Sequence, residues 1–191
     1  IIYSYYFNIF FNVDVFIYTL IISTISGSFL FFYKNIEYKK INIYQKILTV
    51  LIGYIILPII ICIPYYFSIY SISLLNCYFE AISGFTSTGF TIFENIKQID
   101  QSLILWRSSI QWIGGLYFLF SIIYLIDIYD ESFKKSLTNY LSFNSSELLK
   151  QSIKIFLLYS GITFVIFVIL NLISIRTFDS LNLAFTIISS G

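Results

Sequence analysis

The residues of this chain best suited to chemistry are the run GFTSTGF at positions 84–90, where three hydroxyl side chains lie between two glycines. Backbone carbonyls, with hydroxyls beside them, can replace the hydration shell of a cation without placing formal charge inside a membrane. Consecutive carbonyls point the same way only if some residue adopts a backbone conformation that is costly with a side chain, and glycine adopts it cheaply. We therefore expect Thr86, Ser87 and Thr88 to supply oxygens to a cation, with Gly89 as the conformational residue.

A packing interpretation of the same run competes with this one. Gly84 and Gly89 would let helices approach closely, and the hydroxyls would bond back to their own helix. Composition favours neither interpretation, so the choice depends on where the run lies relative to the membrane.

Composition indicates a membrane protein. Of the 191 residues, 58% are hydrophobic and 11% are charged, whereas soluble domains carry about 25% charged residues. The chain has no histidine and two cysteines, Cys62 and Cys77, both in apolar surroundings, and these are too few ligands for a zinc or redox site. A membrane-embedded enzyme would need acids, histidines or a metal set facing a cavity. We therefore expect no enzyme activity and no cofactor.

Four charge-free windows are long enough to cross a bilayer, which takes about 20 apolar residues. They are Val15–Tyr33, Ile47–Phe67, Ser108–Ile126 and Ile155–Ile175. Pro58 and Pro64 lie late in the second window and are expected to kink it or end it. The sequence thus predicts an all-α, multi-pass protein of the cytoplasmic (inner) membrane.

Lysine placement predicts the orientation. Eight lysines lie in the two connections 34–46 and 127–154, and the positive-inside rule places both connections in the cytoplasm. Lys39 and Lys135 are then expected to be cytoplasmic, and Lys97 is expected to lie outside.

The apolar segment 72–93, in which Glu80 is the only charge, would reverse this orientation if it were a fifth span. We predict instead that it enters the membrane and returns to the same side, with a short helix over about 74–85 going in and the stretch from Thr86 coming back extended. Non-helical backbone is tolerated at membrane depth where it is buried in protein or lines a watery cavity. The carbonyl end of the short helix carries partial negative charge, which favours a cation. The topology therefore favours the pore-loop interpretation of the hydroxyl run.

Two linked motifs in this chain resemble the Trk/Ktr family of potassium transporters. The run FEAISGFTSTGFT at 79–91 is similar to the first pore-loop signature of that family, and LILWRSSIQWIGGL at 103–116 is similar to its next helix. The resemblance covers essentially the whole chain and implies repeated helix–pore loop–helix units, four in the family, around a central ion pore. It implies a peripheral N-terminal membrane segment and cytoplasmic loop at 1–46, a first repeat at 47–126, a cytoplasmic linker at 127–154 and a truncated second repeat at 155–191, or about 1.5 repeats.

The truncation fits two other features of the sequence. The chain starts at Ile1 without any methionine, and it ends at 189–191 within a patterned segment. We interpret it as an internal piece, or as a chain whose start is missing.

The resemblance implies which residues of the first filter contact the ion. Ser87 and Thr88 match the ion-contacting positions before Gly89, and potassium is expected there. A Ser87→Thr substitution keeps the carbonyl and the hydroxyl, so its effect is expected to be mild.

A second pore helix is implied by the run TFDSLNLAFTIISSG at 177–191. Setting Asp179 against Asn76 places residues 189–191 opposite residues 86–88, so Ser190 and Gly191 become the second pair of expected potassium ligands. A rival register sets 181–182 against 75–76 and leaves the second filter wholly outside the chain. We prefer the first register.

Glu80 and Arg107 keep alternative interpretations, and Tyr117 departs from the family pattern. Glu80 could add negative potential at the pore mouth or hold the filter through hydrogen bonds, or it could be an interfacial carboxylate that pairs with a nearby donor. Arg107 is either an interfacial anchor or a partner for Glu80 or for loop carbonyls. Tyr117 stands where the family often shows glycine, which puts the local helix packing in question.

The function predicted from these observations is potassium uptake across the cytoplasmic membrane through a carbonyl-lined filter. The alternatives are a non-transporting structural subunit of a membrane complex and a membrane-embedded enzyme. The expected partners are the potassium ion and membrane lipid, without nucleic acid. A homodimer is expected, and the resemblance implies a cytosolic nucleotide-binding regulatory subunit on the cytoplasmic face.

Overall fold

The computed structural model describes residues 13–32, 42–68, 70–94, 99–125 and 148–190. Within these ranges the ordered elements are all α-helices. They are α1 (Val13–Phe32), α2 (Ile43–Ile61), α3 (Ile63–Tyr66), α4 (Leu74–Phe85), α5 (Gln101–Tyr124), α6 (Leu148–Leu172) and α7 (Thr177–Ser189). This confirms the all-α class. The lysines expected to report orientation, Lys39, Lys97 and Lys135, lie outside the described residues.

Among the described residues, three stretches of helix are long and apolar enough to cross a membrane, and they match three of the four predicted spans. They are Val13–Leu30, Ile43–Tyr66 and Lys150–Leu172. The break between α2 and α3 falls at Cys62, with Pro58 inside the first helix and Pro64 at the start of the second. The prolines thus end α2 within the predicted window, because proline cannot donate the backbone hydrogen bond that would continue a helix.

The fourth predicted span corresponds to α5, which differs from the other three in composition. It begins at Gln101, seven residues before the predicted start, and its 24 residues give a length of about 36 Å. The buried polar side chains of Ser102, Ser108, Gln111 and Ser121 lower its hydropathy. A central helix can carry them because its neighbours in the described part of the chain, rather than lipid, cover them.

A hydrophobic core surrounds the short helix α4. Cys77, Ala81 and Phe85 are within 1% of complete burial and pack with Tyr65, Leu103 and Ile110 from the helices on either side. In contrast, α1, α2 and α6 expose most of their apolar side chains. A helix of 12 residues that is enclosed by longer apolar helices is the arrangement predicted for a re-entrant segment.

The helices α4 and α7 are built alike, and several matching features of the two lie 103 residues apart. Leu74 and Thr177 each begin the helix, and Ala81 and Ala184 are both fully buried. The side chains of Cys77 and Ser180 each donate to the main-chain oxygen five residues earlier, at 3.5 and 3.2 Å. Left-handed backbone recurs at the same spacing before and after each helix, at Ser71 and Ser174 and at Ser87 and Ser190.

This spacing distinguishes the two registers considered for the second pore helix. The preferred register, Asp179 against Asn76, has an offset of 103 residues, whereas the rival has an offset of 106. The offset of 103 also pairs Thr86 with Ser189, and both side chains donate to the carbonyl four residues earlier, at 2.8 and 2.9 Å. Ser190 therefore holds the same position relative to α7 as Ser87 holds relative to α4.

Tyr117 packs without disrupting the helices around it, because a glycine on α2 makes room for it. A Cβ at Gly53 would lie 1.8 Å from the Tyr117 hydroxyl oxygen. That hydroxyl donates to the Val50 carbonyl at 3.0 Å, and the ring contacts those of Tyr54 and Phe85 at centroid distances of 4.9 and 5.3 Å. The tyrosine ring thus packs against Phe85, the last residue of α4.

We expect Gly53→Ala to destabilise the protein, and Tyr117→Leu to relieve that destabilisation. The added methyl would displace the tyrosine ring, and overpacking of this kind costs about 1–3 kcal/mol. Leucine at 117 ends short of Gly53, so the double variant should lose much less than the sum of the two single variants. Thermal unfolding in detergent measures this, with Gly27→Ala as control because nothing lies within 4 Å of a Cβ there. Additive effects of the two substitutions would contradict this packing.

Candidate functional site

The end of α4 is shaped by two main-chain hydrogen bonds that run backwards into the helix. The Ser87 N–H donates to the Gly84 carbonyl at 3.0 Å, and the Thr88 N–H donates to the Ser83 carbonyl at 3.0 Å. Together with the left-handed φ of 55° at Ser87, these bonds form a Schellman motif. The hydroxyl run therefore begins as the C-terminal cap of a helix.

The same two bonds determine where the carbonyls of the run point. A trans peptide places its C=O opposite its N–H. Since the N–H groups of Ser87 and Thr88 face the helix, the carbonyls of Thr86 and Ser87 face away from it. Within the described residues, no hydrogen bond to either carbonyl is present. The run thus presents adjacent, unengaged carbonyl oxygens beyond the negative end of a helix dipole.

The threonine hydroxyls of the run point elsewhere. Thr86 Oγ1 donates to the Ile82 carbonyl at 2.8 Å, Thr88 Oγ1 donates to the Ser83 carbonyl at 3.3 Å, and the two hydroxyls also contact each other. The packing interpretation is therefore right about these hydroxyls, which bond back to their own helix. The oxygens left to face outward are those of the main chain.

Gly89 adopts a left-handed φ of 79°, the conformation expected of it from the sequence. A side chain at this φ is strained, whereas glycine is not. Ser87 shares the left-handed region, and the sequence contained no signal for this, because serine is not among the residues enriched there. Because a β-branched residue at positive φ is a genuine outlier, we now expect Ser87→Thr to strain the loop rather than to be mild.

The segment after Gly89 returns alongside α4. Ser83 Oγ donates to the Phe90 carbonyl at 2.6 Å, and the Ile92 N–H donates to the Glu80 carboxylate at 3.0 Å. As the residue number rises from 90 to 92, its partner on α4 falls from 83 to 80, so the two segments run antiparallel. We call residues 74–92 the pore hairpin. Its path in and back agrees with the predicted re-entrant topology.

Glu80 and Arg107 hold the returning arm of the pore hairpin. Arg107 Nε donates to Glu80 Oε1 at 2.7 Å, with the carboxylate fully buried and the arginine side chain 14% exposed. The carboxylate also accepts from Thr91 Oγ1 at 3.0 and 3.1 Å. The structure therefore supports Arg107 as a partner for Glu80, and Glu80 both pairs with this donor and holds the loop through hydrogen bonds.

Arg107 also contacts the main chain of the hydroxyl run at residues 89 and 90. Its Nη2 donates to the Gly89 carbonyl at 2.9 Å and to the Phe90 carbonyl at 3.3 Å. The Gly89 oxygen is thus already engaged by a cation of the protein itself. Gly89 contributes its conformation, and the outward carbonyls of Thr86 and Ser87 are the ones available to a ligand.

Two adjacent glycines on α5 allow the C-terminal ends of α4 and α7 to pack against it side by side. A Cβ at Gly114 would lie 1.9 Å from the Phe85 carbonyl oxygen, and a Cβ at Gly115 would lie 3.2 Å from Ser189 Cβ. One glycine therefore accommodates the end of α4, and the other accommodates the end of α7. The pair lies within the motif at 103–116, from which no role was predicted for it. A double glycine inside an apolar helix was the available signal.

A cavity of about 540 Å³ opens where the two pore helices end. It is lined by Tyr54, Phe85, Thr86, Ser87, Gly114, Gly115, Phe118, Ser189 and Ser190. We call it the inner cavity. The structure thus brings Thr86, Ser87 and Ser190 together at one cavity, and Thr88 and Gly89 follow directly along the chain but do not line it. Gly191 lies outside the described residues.

Polar contacts around Trp112 connect α5 to α6 and α7. Trp112 Nε1 donates to Thr163 Oγ1 at 2.9 Å, and the Tyr159 hydroxyl donates to the Trp112 carbonyl at 3.2 Å. One turn earlier, Ser108 Oγ donates to Asn182 Oδ1 at 2.5 Å. These contacts connect α5 to both α6 and α7, so the relative position of the two pore-helix ends is specified by side chains.

Comparison of the sequence with known proteins finds transporters. An uncharacterized cation transporter of Methanocaldococcus jannaschii is 32% identical over 78 residues, which are 41% of this chain and 16% of that protein. The potassium uptake protein TrkI of Halomonas elongata is 38% identical over 60 residues, 31% of this chain and 11% of TrkI. TrkH of Escherichia coli is 24% identical over 99 residues, 51% of this chain and 20% of TrkH. No family model matches the chain.

Comparison of the fold finds a solved transporter. The crystal structure of the potassium transporter TrkH from Vibrio parahaemolyticus superposes with a TM-score of 0.69 at 16% identity, and it covers 91% of this chain and 35% of that protein. The chain thus spans about a third of this relative and a fifth or less of the curated ones. These matches, with the three apolar helices, confirm the resemblance drawn from the two motifs: this chain is Trk/Ktr-like, a multi-pass helical protein of the cytoplasmic membrane.

Proposed function

We propose that the complete protein takes up potassium through a pore whose filter includes residues 86–89. The observation that carries this proposal is the pair of outward carbonyls at Thr86 and Ser87, which face away from the negative end of α4. Such oxygens can replace the water around a cation without adding formal charge to the membrane. The relatives found by sequence include potassium uptake proteins, which supports potassium as the ion.

The second pore helix supports the same proposal. Ser190 has a left-handed φ of 59°, and its N–H donates to the Ile187 carbonyl at 3.3 Å, as the Ser87 N–H does to Gly84. The carbonyl of Ser189 is then turned away from α7 by the same peptide geometry. We infer that Ser190 and Gly191 continue a second filter segment, equivalent to Ser87 and Thr88 in the first.

The proposed partners follow from this function. Potassium is the transported ligand, and lipid covers the exposed apolar faces of α1, α2 and α6. A homodimer and a cytosolic nucleotide-binding regulatory subunit remain predictions. Most of the connection 127–154, where a regulator was expected to dock, lies outside the described residues.

We expect Gly89→Ser in the complete protein to abolish potassium uptake or to weaken its selectivity over sodium, while membrane insertion stays intact. A side chain at φ 79° either bears a strain on the order of 1–3 kcal/mol or moves the carbonyl that Arg107 holds. The apolar spans are untouched, so insertion should be normal. Uptake of potassium and sodium by cells without other potassium importers, at matched expression, measures this.

Ser87→Gly is the matched control for this experiment. Glycine is the commonest residue at the left-handed position of a Schellman motif, so the loop geometry should persist and uptake should stay near the wild-type rate. Normal uptake and selectivity in Gly89→Ser would show that Gly89 is a packing residue only. A complete protein that inserts but carries no potassium would instead favour a structural subunit.

A further inference from the structure

We propose that the inner cavity binds quaternary ammonium ions, and that such an ion blocks the pore. This inference rests on the proposed function for its blocking effect, but not for binding itself. A quaternary ammonium ion carries its charge inside an apolar shell. It therefore needs a site that is apolar over most of its wall, negative in potential and wider than a single dehydrated metal ion.

The wall of the inner cavity is apolar and aromatic. Phe118 contributes a ring whose residue is 55% exposed, and Tyr54 contributes a second ring, held edge-on against Phe85 at 5.7 Å. Aromatic faces attract quaternary ammonium ions through the ring quadrupole and bury their alkyl groups. The volume of about 540 Å³ falls in the range of small-molecule sites, which is about 300–1,000 Å³.

The electrostatic potential in the cavity comes from main-chain dipoles. Both α4 and α7 end at its wall, at Thr86 and Ser190, and a helix C-terminus carries about half a negative charge. The lining residues bear no formal charge. A bound cation therefore meets two negative helix ends without an opposing charge on the wall, and no strongly hydrated carboxylate favours a small metal ion over an organic one.

The position of the cavity along α5 predicts the side from which the ion enters. From its start, α5 contacts the returning arm through Arg107, then the end of α4 through Gly114, and then Lys46, which lies 5.5 Å from the ring centroid of Tyr124. The cavity lies between the second and third of these contacts, on the Lys46 side of the filter. Because Lys46 belongs to a connection predicted to be cytoplasmic, block should occur from the cytoplasm.

The test uses tetrabutylammonium with the complete protein. We expect it to inhibit rubidium flux when applied to the cytoplasmic side of oriented vesicles, and to bind the purified protein in calorimetry. Phe118→Leu should weaken both effects on the order of tenfold, since it removes the ring but keeps an apolar side chain. Phe164→Leu is the matched control, because Phe164 lies on the exposed face of α6, is 65% exposed and does not line the cavity.

Each outcome separates the binding site from the proposed function. Flux without inhibition or binding would overturn the site and leave the proposed function standing. Binding that Phe118→Leu weakens, in a protein without flux, would support the site and count against the proposed function. Binding that Phe118→Leu and Phe164→Leu weaken equally would show partition into the apolar surface and would overturn the proposal.

Discussion

Gly114→Ala is expected to abolish uptake in the complete protein. The new Cβ would lie 1.9 Å from the Phe85 carbonyl oxygen, 2.7 Å from its carbon and 3.0 Å from Phe85 Cα. All three are main-chain atoms, so no rotamer change relieves the collision. Either α5 or the end of α4 must shift, and the carbonyls of Thr86 and Ser87 shift with it. The loss of folding stability should therefore exceed the 1–3 kcal/mol that is common for an overpacked side chain.

The other glycines of the chain provide a graded control series. A Cβ at Gly115 would lie 2.6 Å from the Tyr159 hydroxyl, which is the far end of a side chain, and 3.2 Å from Ser189 Cβ. Gly115→Ala should therefore reduce uptake without abolishing it. Nothing lies within 4 Å of a Cβ at Gly161, so Gly161→Ala should behave as wild type. If Gly114→Ala and Gly161→Ala transport equally well, the end of α4 does not pack on α5 as the structure shows.

The second large effect is expected from the buried ion pair. Glu80→Gln leaves the Arg107 guanidinium without its carboxylate, next to the Gly89 carbonyl that it contacts at 2.9 Å. Breaking one side of a buried pair costs about 3–5 kcal/mol. The uncompensated positive charge also opposes a cation at the neighbouring carbonyls. We expect a large loss of thermal stability, and a loss of potassium uptake greater than the lost stability alone would cause. Both are measured on the same preparations.

Arg107→Gln and the double variant separate charge from architecture. Arg107→Gln alone should also be destabilising, because Glu80 is fully buried. In the double variant neither charge remains, so much of the stability should return. Uptake should stay low, because the Gly89 and Phe90 carbonyls have lost their guanidinium donor. Full recovery of uptake in the double variant would show that the pair acts through charge balance alone.

Asp179→Asn is the matched control for Glu80→Gln. Asp179 pairs with Arg176 at 3.0 Å, but the two side chains are 49% and 64% exposed. Exposed pairs contribute about 0–1 kcal/mol, so this substitution should change stability little. A loss as large as that of Glu80→Gln would mean that the effect does not depend on burial.

The short helix predicted over about 74–85 matches α4 of the pore hairpin, Leu74–Phe85, and the residues at its two ends explain the agreement. Ser73 is a good N-cap residue, and its hydroxyl accepts from the Asn76 N–H at 3.4 Å. The apolar run that follows ends at residues suited to a turn. The lysine distribution then favoured a re-entrant segment over a full span. The left-handed conformation of Gly89 was predictable for the same reason that glycine occurs there, since other residues are strained in it.

Other features needed the structure because they depend on distances between segments. Ser87 is left-handed because two hydrogen bonds close around it, which no propensity scale records for serine. The choice between offsets of 103 and 106 residues depends on burial and on hydrogen bonds that repeat between the two helices. The interpretations of Glu80 and Arg107 stayed open because their 27-residue separation is bridged only in the folded chain. The span predicted from Ser108 was shorter than α5 because Arg107 and earlier polar residues are covered by protein.

The central claim is that the outward carbonyls of the pore hairpin bind the transported cation. The most direct test is anomalous diffraction from crystals of the complete protein soaked in rubidium, which can replace potassium at oxygen sites. The account predicts an anomalous peak within coordination distance of the Thr86 and Ser87 carbonyl oxygens, which is lost in Gly89→Ser crystals. Peaks at other places in the membrane region, with none at these carbonyls, would contradict it.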